Sequence, residues 1–323
     1  VAASSTARRS VVFPVPAYPC PPIVRSRLAS IAFAAASCST ERPCSPNSAL
    51  PRIGATAPRV EEIADWLHRH EAIADAYVAE PAGTLIVAPS NAERRELNEL
   101  IRQRLRTQAR IAGGDVAIET LHGRDLTRAE RRLAARYRDG DVVRFRRGAK
   151  AHRIAGGSYA TIVKRDETKN LLTVELGNGR RATYDPRRLS GVDIYSTEEK
   201  AFAAGDRIVV RAPLKKEKIP NGAIGTITAI DSDGAARVAI DERSAEVALD
   251  LRKARHLDYG YAVTSHSSQG KTVDRALVAI RTRHPGLLVN SSQFYVSTSR
   301  ARDSVRIFTD DRARLATAVS RPA

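Results

Sequence analysis

The sequence contains no methionine, a single tryptophan and only three cysteines among 323 residues. All three cysteines (Cys20, Cys38 and Cys44) lie in the first 57 residues, so disulfide bonds cannot hold the remainder of the chain together. The sequence also lacks any apolar run of about 18 residues, so no transmembrane helix is expected. A hydrophobic content of 42% can instead form an ordinary buried core.

Acidic residues are in deficit. The chain has 36 Asp and Glu against 53 Lys and Arg, which gives a net charge of +17. A basic surface attracts phosphate backbones because bound counterions are released, so the expected partner is DNA rather than a membrane, and a cytoplasmic location is expected. Part of the arginine excess has an alternative explanation, since a GC-rich gene favours arginine over lysine.

Residues 1–57 differ in composition from the rest of the chain. They hold half of its prolines, one acidic residue (Glu41) and no helix or strand periodicity. This composition predicts a disordered arm. The alternative is a mistranslated upstream segment, produced by a misplaced start or a frameshift. The run Leu28–Cys38 resembles the core of a signal peptide, but it lies too far inside the chain to act as one.

The remaining sequence predicts an α/β protein interrupted by small β-modules. Helical spacing indicates a helical lead-in over residues 58–82. Residues 83–138 begin with a strand, Thr84–Ala88, followed by a helix that Ser90 caps. An α/β pattern returns over residues 254–323, with strands expected at 261–264, 276–280, 293–297 and 305–308.

An internal repeat occupies the middle of the chain. Gly140-Asp141 recurs 65 residues later as Gly205-Asp206. Two copies of one module are therefore expected, over residues 139–195 and 196–253, each with short strands of the kind found in SH3-like β-barrels. The expected strands are Val142–Phe145, Ala160–Lys164, Leu171–Leu176 and Arg181–Tyr184 in the first copy, and Arg207–Arg211, Gly225–Ile230, Ala236–Ile240 and Glu246–Leu249 in the second.

Two segments near the end of the chain have the pattern of a phosphate-binding site. Tyr261–Thr272 reads Tyr-Ala-Val-Thr-Ser-His-Ser-Ser-Gln-Gly-Lys-Thr, and Phe294–Asp303 reads Phe-Tyr-Val-Ser-Thr-Ser-Arg-Ala-Arg-Asp. Each is predicted to be a strand that runs into a polar turn and the start of a helix. That arrangement presents backbone N–H groups and a basic side chain to a phosphate. Such a pair can contact a nucleotide and a nucleic acid together.

In their order along the chain and in their residues, the two segments resemble motifs V and VI of superfamily 1 helicases. The resemblance is greatest to the C-terminal part of the RecD-like helicase region of TraI/TrwC-type (MobF) conjugative relaxases, and it covers roughly residues 84–312. It implies that the chain forms the second RecA-like domain (2A) of a P-loop NTPase motor, with tandem SH3-like barrels inserted into that domain.

The resemblance also implies roles for single residues. Arg300 matches the motif VI arginine, the catalytic group that reaches the γ-phosphate of ATP. Gln269 and Gly270 match the part of motif V beside the nucleotide, whereas Thr264 and His266 match the part that contacts the DNA backbone. The tip of a basic hairpin in the second module adds Lys215, Lys216 and Lys218 as candidate DNA contacts, although a merely solubilising loop explains them equally well. No residue is expected to bind a metal directly.

ATP and Mg²⁺ are the cofactors of the full-length family, but the Walker A loop and Walker B carboxylate that hold them cannot be placed in this sequence. Gly270-Lys271-Thr272 ends like a Walker A loop, yet Ser265 stands where its first glycine is required. Val238–Glu242 imitates Walker B inside a predicted hairpin.

The expected function is that of a C-terminal fragment of an ATP-dependent 5′-to-3′ DNA helicase. It would be inactive alone, acting on single-stranded DNA with a missing N-terminal motor and relaxase half. Two alternatives remain: a non-enzymatic DNA-binding or adaptor module, and a P-loop kinase that uses residues 270–272.

Overall fold

The computed structural model describes residues 58–283 and 289–320, so the expectations for residues 1–57 lie outside the described residues. The helices are α1 (Trp66–Ala79), α2 (Asn91–Thr107), α3 (Ser265–Ser268), α4 (Ser291–Thr298) and α5 (Arg312–Val319). The strands are β1 (Arg59–Glu62), β2 (Thr84–Ala88), β3 (Ala112–Gly123), β4 (Val142–Phe145), β5 (Tyr159–Asp166), β6 (Leu171–Leu176), β7 (Arg181–Tyr184), β8 (Val192–Ala204), β9 (Arg207–Val210), β10 (Ile224–Ile230), β11 (Ala235–Ile240), β12 (Val247–Asp250), β13 (Leu257–Tyr259), β14 (Ala262–Thr264), β15 (Val273–Ile280) and β16 (Ala301–Thr309).

A parallel sheet of five strands forms the α/β part, in the order β1-β16-β15-β2-β14. Helices α1 and α2 pack against one face, over Ile86, Leu277 and Phe308. Helices α4 and α5 pack against the other, over Val278 and Ile307. Burial on both faces explains why these strands read as continuous apolar runs. The α/β class expected from the sequence is confirmed. Within the described part of the chain, no helix combines the length and apolar character that a bilayer crossing requires.

Two expected elements differ from the structure. The segment expected as a strand at residues 293–297 is helix α4, because the side chain of Asn290 accepts a hydrogen bond from the Gln293 N–H (2.9 Å) and caps the helix. Its buried residues Phe294, Ser297 and Thr298 follow helical spacing. The segment expected as a helical lead-in begins with β1, which pairs with β16 at the edge of the parallel sheet.

Two antiparallel sheets occupy the middle of the chain. The first has the order β3-β8-β4-β5-β6-β7, and the second has the order β12-β11-β10-β9-β13. The strands expected inside each repeat are present, but each sheet also recruits strands from outside it: β3 and β13 lie beyond the expected module limits, and β8 crosses the limit at residue 195. The repeat therefore marks only the centre of each sheet.

The second sheet and the α/β part share one core. Ile227 and Val238 of the second sheet belong to the same buried cluster as Ile86 and Phe308 of the parallel sheet. Strands β3 and β8 of the first sheet also contribute to this cluster, whereas strands β4 to β7 surround a separate core. Gly260 connects β13 to β14 across this shared core. A Cβ atom at Gly260 would lie 2.7 Å from the backbone of Ile208, so a glycine is required for the two sheets to approach so closely.

A buried charge cluster joins the three parts of the fold. Asp258 of β13 is 1% exposed; its Oδ2 lies 2.8 Å from Nη1 of Arg94 in α2, and its Oδ1 accepts a hydrogen bond from Nζ of Lys200 in β8 (2.8 Å). Burial alone would raise the pKa of Asp258, but the charges of Arg94 and Lys200 outweigh it and hold the pKa at about 2. One carboxylate thus links the α/β part to both antiparallel sheets.

We predict that Asp258→Asn destabilises the protein by about 3–5 kcal/mol at neutral pH, because two buried cations lose their counter-charge. The folded pKa of Asp258 lies below its usual value of 3.8, so the carboxylate contributes stability above about pH 4 and loses it as the pH falls towards 2. The difference in the free energy of unfolding between wild type and variant should therefore become smaller as the pH falls from about 4 towards 2. Urea denaturation at a series of pH values measures it.

The exposed Asp303 provides the matched control, since Asp303→Asn makes the same chemical change without a buried partner. An Asp258→Asn variant as stable as Asp303→Asn at neutral pH would contradict a structural role for the cluster.

Candidate nucleotide and nucleic-acid site

The turn after β14 is built from small hydroxyl side chains. Thr264 ends the strand and its hydroxyl donates a hydrogen bond to Oγ of Ser267 (3.1 Å), while Oγ of Ser268 donates to the carbonyl of Ser265 (2.7 Å). These bonds hold the short helix α3. Beyond it, Gly270 adopts a φ of +84° that favours glycine, and apart from its chain neighbours no atom of the described residues lies within 4 Å of the place where a Cβ would stand. His266, Gln269 and Gly270 are exposed, so this turn presents them to solvent.

The second segment, Phe294–Asp303, was expected to run from a strand through a turn into a helix. The structure has the opposite order: helix α4 comes first, and the turn at Ser299 and Arg300 leads into strand β16. The backbone of this segment meets the first turn, because the carbonyl of Arg300 accepts a hydrogen bond from the N–H of Val273 (2.9 Å). The hydroxyls of Ser265 and Ser297 lie 3.1 Å apart and connect α3 to α4. The structure therefore brings the two segments together.

The guanidinium of Arg300 is half-buried and folds back on α4. Its Nε donates to the carbonyl of Val296 (2.8 Å) and one Nη donates to Oγ of Ser299 (2.9 Å). A cation at this position satisfies the free carbonyls at the C-terminus of the helix. Arg302, two residues on, forms an ion pair with Asp274. The two arginines thus have different partners.

A cleft of about 540 Å³ separates the first turn from the loop between β9 and β10. Lys271 crosses it at one end, since its Nζ donates to the carbonyl of Gly222 (2.6 Å). Burial lowers the pKa of Lys271. The residues lining the cleft include three of the predicted site residues and come from both sides: Arg211, Pro220, Asn221, Gly222, Ala223, Glu242, His266, Ser267, Gln269, Gly270 and Lys271.

Arg211 is a further candidate residue, which the sequence alone did not indicate. It directly follows β9, its Nη1 lies 3.5 Å from Oγ of Ser267, and burial together with the charge of Arg94 lowers its pKa. Arg211 also lines a second, neighbouring cleft of about 220 Å³, which lies beside Asn91 at the start of α2 and contains Arg94, Arg95, His122 and His256. The sequence feature that could have indicated Arg211 is its position as a basic residue directly after an apolar strand.

His256 is a buried polar residue. It is 9% exposed, its Nε2 lies 2.8 Å from the hydroxyl of Tyr159, and its ring packs edge-on against Tyr195. Burial and the charges of Arg144 and Arg255 lower its pKa to about 4, so His256 is neutral at physiological pH. Its role in the fold is to join β13 to the first antiparallel sheet.

The three lysines of the basic hairpin are exposed at its tip, next to the cleft. Leu214 and Ile219 close the hairpin through a pair of backbone hydrogen bonds (2.9 and 3.0 Å). Arg243 donates from its guanidinium to the carbonyl of Lys218, which has a left-handed φ of 55°. The hairpin that presents Lys215, Lys216 and Lys218 is therefore tied to the second sheet rather than free.

Comparison with known proteins shows similarity to helicases and to conjugation proteins. Residues 203–309 match the family model of the viral superfamily 1 RNA helicase core domain. Over 232 residues the chain is 24% identical to the multifunctional conjugation protein TraI of Escherichia coli, covering 71% of this chain and 13% of that protein. Over 116 residues it is 32% identical to the conjugal transfer protein TraA of Rhizobium radiobacter, covering 36% of this chain and 10% of that protein.

The chain is similar to the TraI-type conjugative relaxases, in the C-terminal part of their helicase region. Among solved structures, the Pif1 helicases from Bacteroides and from Candida albicans overlap 90% and 92% of this chain and 49% and 55% of their own chains, at 14% and 12% identity and a TM-score of 0.25 in both cases. A TM-score this low does not establish a shared arrangement.

We predict that Lys271→Met lowers stability by about 1–2 kcal/mol, because the charged hydrogen bond to Gly222 is lost, and leaves the affinity for ATP unchanged. Urea denaturation and titration with a fluorescent ATP analogue measure the two effects. A variant of normal stability that no longer binds ATP would instead favour the P-loop interpretation of residues 270–272.

Proposed function

We propose that this TraI-type chain acts as the second RecA-like domain of a 5′-to-3′ DNA helicase, with its two antiparallel sheets serving as SH3-like barrels beside the DNA. The observation that supports this most strongly is the junction of the two motif turns, where Ser265 meets Ser297 and Val273 meets Arg300. The junction places a candidate nucleotide contact and a candidate DNA contact on adjoining turns at one part of the domain. A cytoplasmic location is part of this proposal.

Arg300 is the residue proposed to stabilise the charge that develops on the γ-phosphate. Catalysis of phosphoryl transfer depends on positioning and on such charge neutralisation. Its present bonds to Val296 and Ser299 are to neutral acceptors, so a phosphate can replace them at a gain in Coulomb energy. Gln269 and the open backbone at Gly270 are proposed to lie along the edge of the nucleotide, because nothing in the described structure occupies the space beside Gly270.

ATP and Mg²⁺ fit only in part with the residues of this chain. Lys271, the residue that would serve in a Walker A loop, is engaged with the carbonyl of Gly222. The carboxylate of Asp241, which would serve in a Walker B segment, is ion-paired with Arg207 at 2.6 Å. We therefore propose that a separate motor domain, such as the N-terminal half of the full-length relatives, supplies most of the contacts to ATP and Mg²⁺.

Single-stranded DNA is the proposed substrate. Thr264 and His266 are proposed to bind backbone phosphates at the cleft, with Arg211 beside them and with Lys215, Lys216 and Lys218 extending the basic surface. Charged contacts of this kind position a strand without reading its sequence. The alternative function is a non-enzymatic DNA-binding or adaptor module, which the net charge of +17 and the hairpin lysines also support.

We predict that the triple variant Lys215→Gln, Lys216→Gln, Lys218→Gln binds single-stranded DNA about tenfold more weakly, and that each lost phosphate contact reduces the salt dependence of log K by about 0.7. Fluorescence anisotropy at several salt concentrations measures both. Lys164→Gln, Lys169→Gln, Arg237→Gln removes three exposed positive charges elsewhere and is the matched control. Equal losses in the two triple variants would contradict a DNA contact at the hairpin.

We predict that the chain alone does not hydrolyse ATP, and that joining it to the first RecA-like domain of a TraI-type relative yields DNA-stimulated turnover. In that joined motor Arg300→Ala should lower turnover by about a thousandfold, as loss of an arginine finger does. Arg302→Ala, two residues further on in β16 and paired with Asp274, is the control and should retain most activity. An active Arg300→Ala motor contradicts the assignment, and a joined protein that binds DNA without turnover favours the adaptor function.

A further inference from the structure

We propose a second binding site, for a nucleoside phosphate, in a groove of the first antiparallel sheet. The groove has a volume of about 470 Å³ and lies between the segment before β4 and the loop between β7 and β8. This site is independent of the two motif turns and of the cleft beside them, with which it shares no lining residue.

The rim of the groove is cationic. Among the described residues no carboxylate lines it, and five arginines do: Arg128, Arg131, Arg132, Arg146 and Arg187. Two of them have acidic partners outside the groove, since Arg187 bonds to Asp185 (2.8 Å) and Arg146 lies 3.4 Å from Asp193. The other three, Arg128, Arg131 and Arg132, form no ion pair among the described residues. Planar guanidiniums in such excess match phosphate oxygens in both charge and geometry.

The arginine beside the floor is held in place. The Nε of Arg131 donates to the carbonyl of Leu126 (2.9 Å), and the carbonyl of Arg131 accepts a hydrogen bond from the hydroxyl of Tyr137 (2.7 Å). Fixing Nε and the backbone in this way orients the rest of the guanidinium before any ligand binds. Preorganisation of this kind favours a specific site over a diffuse basic surface.

The floor of the groove contains an unpartnered polar group. Tyr184 is 2% exposed, and its hydroxyl has no hydrogen-bond partner among the described residues. Its ring packs edge-on against Phe145 (5.8 Å between centroids) and near His152 (6.1 Å), so it cannot easily swing out to reach water. A buried hydroxyl without a partner is costly and is uncommon in folded proteins. A ligand that reaches the floor can satisfy it.

The arginines at the rim and the tyrosine at the floor together indicate the chemistry of the ligand. Apolar side chains of Leu126, Leu189 and Val192 surround the buried tyrosine, while the arginines stand at the rim. A ligand with a flat, partly polar body and an anionic end fits both parts, and the volume lies in the range of small-molecule pockets. A nucleoside phosphate has this form: the base would lie on the floor with a polar edge at Tyr184, and the phosphate would lie among the arginines. The source can be one nucleotide of a DNA strand or a free nucleotide.

Binding of an oligothymidylate of about 12 nucleotides to the full chain, measured by fluorescence anisotropy, tests the site, with AMP as the free-nucleotide probe. Arg128→Glu, Arg132→Glu should weaken oligonucleotide binding at least tenfold more than Lys164→Glu, Arg237→Glu, which changes the charge equally at exposed positions outside the groove. Tyr184→Phe should weaken binding at least threefold without lowering the melting temperature, because the hydroxyl it removes has no partner in the protein.

Hydrogen exchange identifies the source and the location. If a strand is the ligand, the oligonucleotide slows exchange at residues 126–132 and 186–192 and millimolar AMP does not; if a free nucleotide is the ligand, AMP slows it and competes. In either case His266→Ala should leave this protection unchanged, because His266 lies outside the groove. The experiment therefore tests the groove separately from the proposed role of the turn at His266. The proposal is overturned if neither ligand protects these residues and the groove variant loses no more affinity than its control.

Discussion

The carboxylate of Asp258 forms ion pairs with Arg94 and Lys200 at the point where helix α2 and both antiparallel sheets meet. An ionised carboxylate in such a buried place is stable only because two cations surround it, and the cations in turn are stable only because of the carboxylate. The mutual dependence fixes the relative positions of three elements that are far apart in sequence. It also fixes the surroundings of Arg211, which lies beside Arg94 and between the two basic clefts.

The positions of the two motif turns depend on this arrangement. Strand β14 carries the first turn, and it is positioned by β2 on one side and by Gly260, which joins it to the second antiparallel sheet, on the other. The second turn follows because the Arg300 carbonyl bonds to Val273. The proposed chemistry at Arg300 and the proposed DNA contacts at the cleft are therefore connected through a few backbone hydrogen bonds. Under the proposed function, such a connection is a physical route by which a nucleotide and a DNA strand can affect each other.

Local signals were sufficient for some elements and not for others. The strand Leu171–Leu176 could be predicted because alternation and flanking turns act within a few residues. Helix α4 could not, because Phe294, Tyr295 and Val296 favour strands while the cap from Asn290 and burial of one face decide the outcome. Strands β1, β3 and β8 gain their stability from partners distant in sequence, as with Arg59 and Arg306, and no local pattern shows this. For the same reason the sequence could nominate Arg300 and His266 but not the cluster around Asp258.

The proposed function requires that the cleft between the turn at His266 to Lys271 and the loop at Pro220 to Ala223 faces a nucleic acid. A crystal structure of the chain with a single-stranded oligonucleotide would show whether it does. We expect a backbone phosphate within hydrogen-bond distance of His266 or Arg211, with the Asp258 cluster unchanged. A strand bound only to other surfaces, with this cleft filled by solvent, would contradict it.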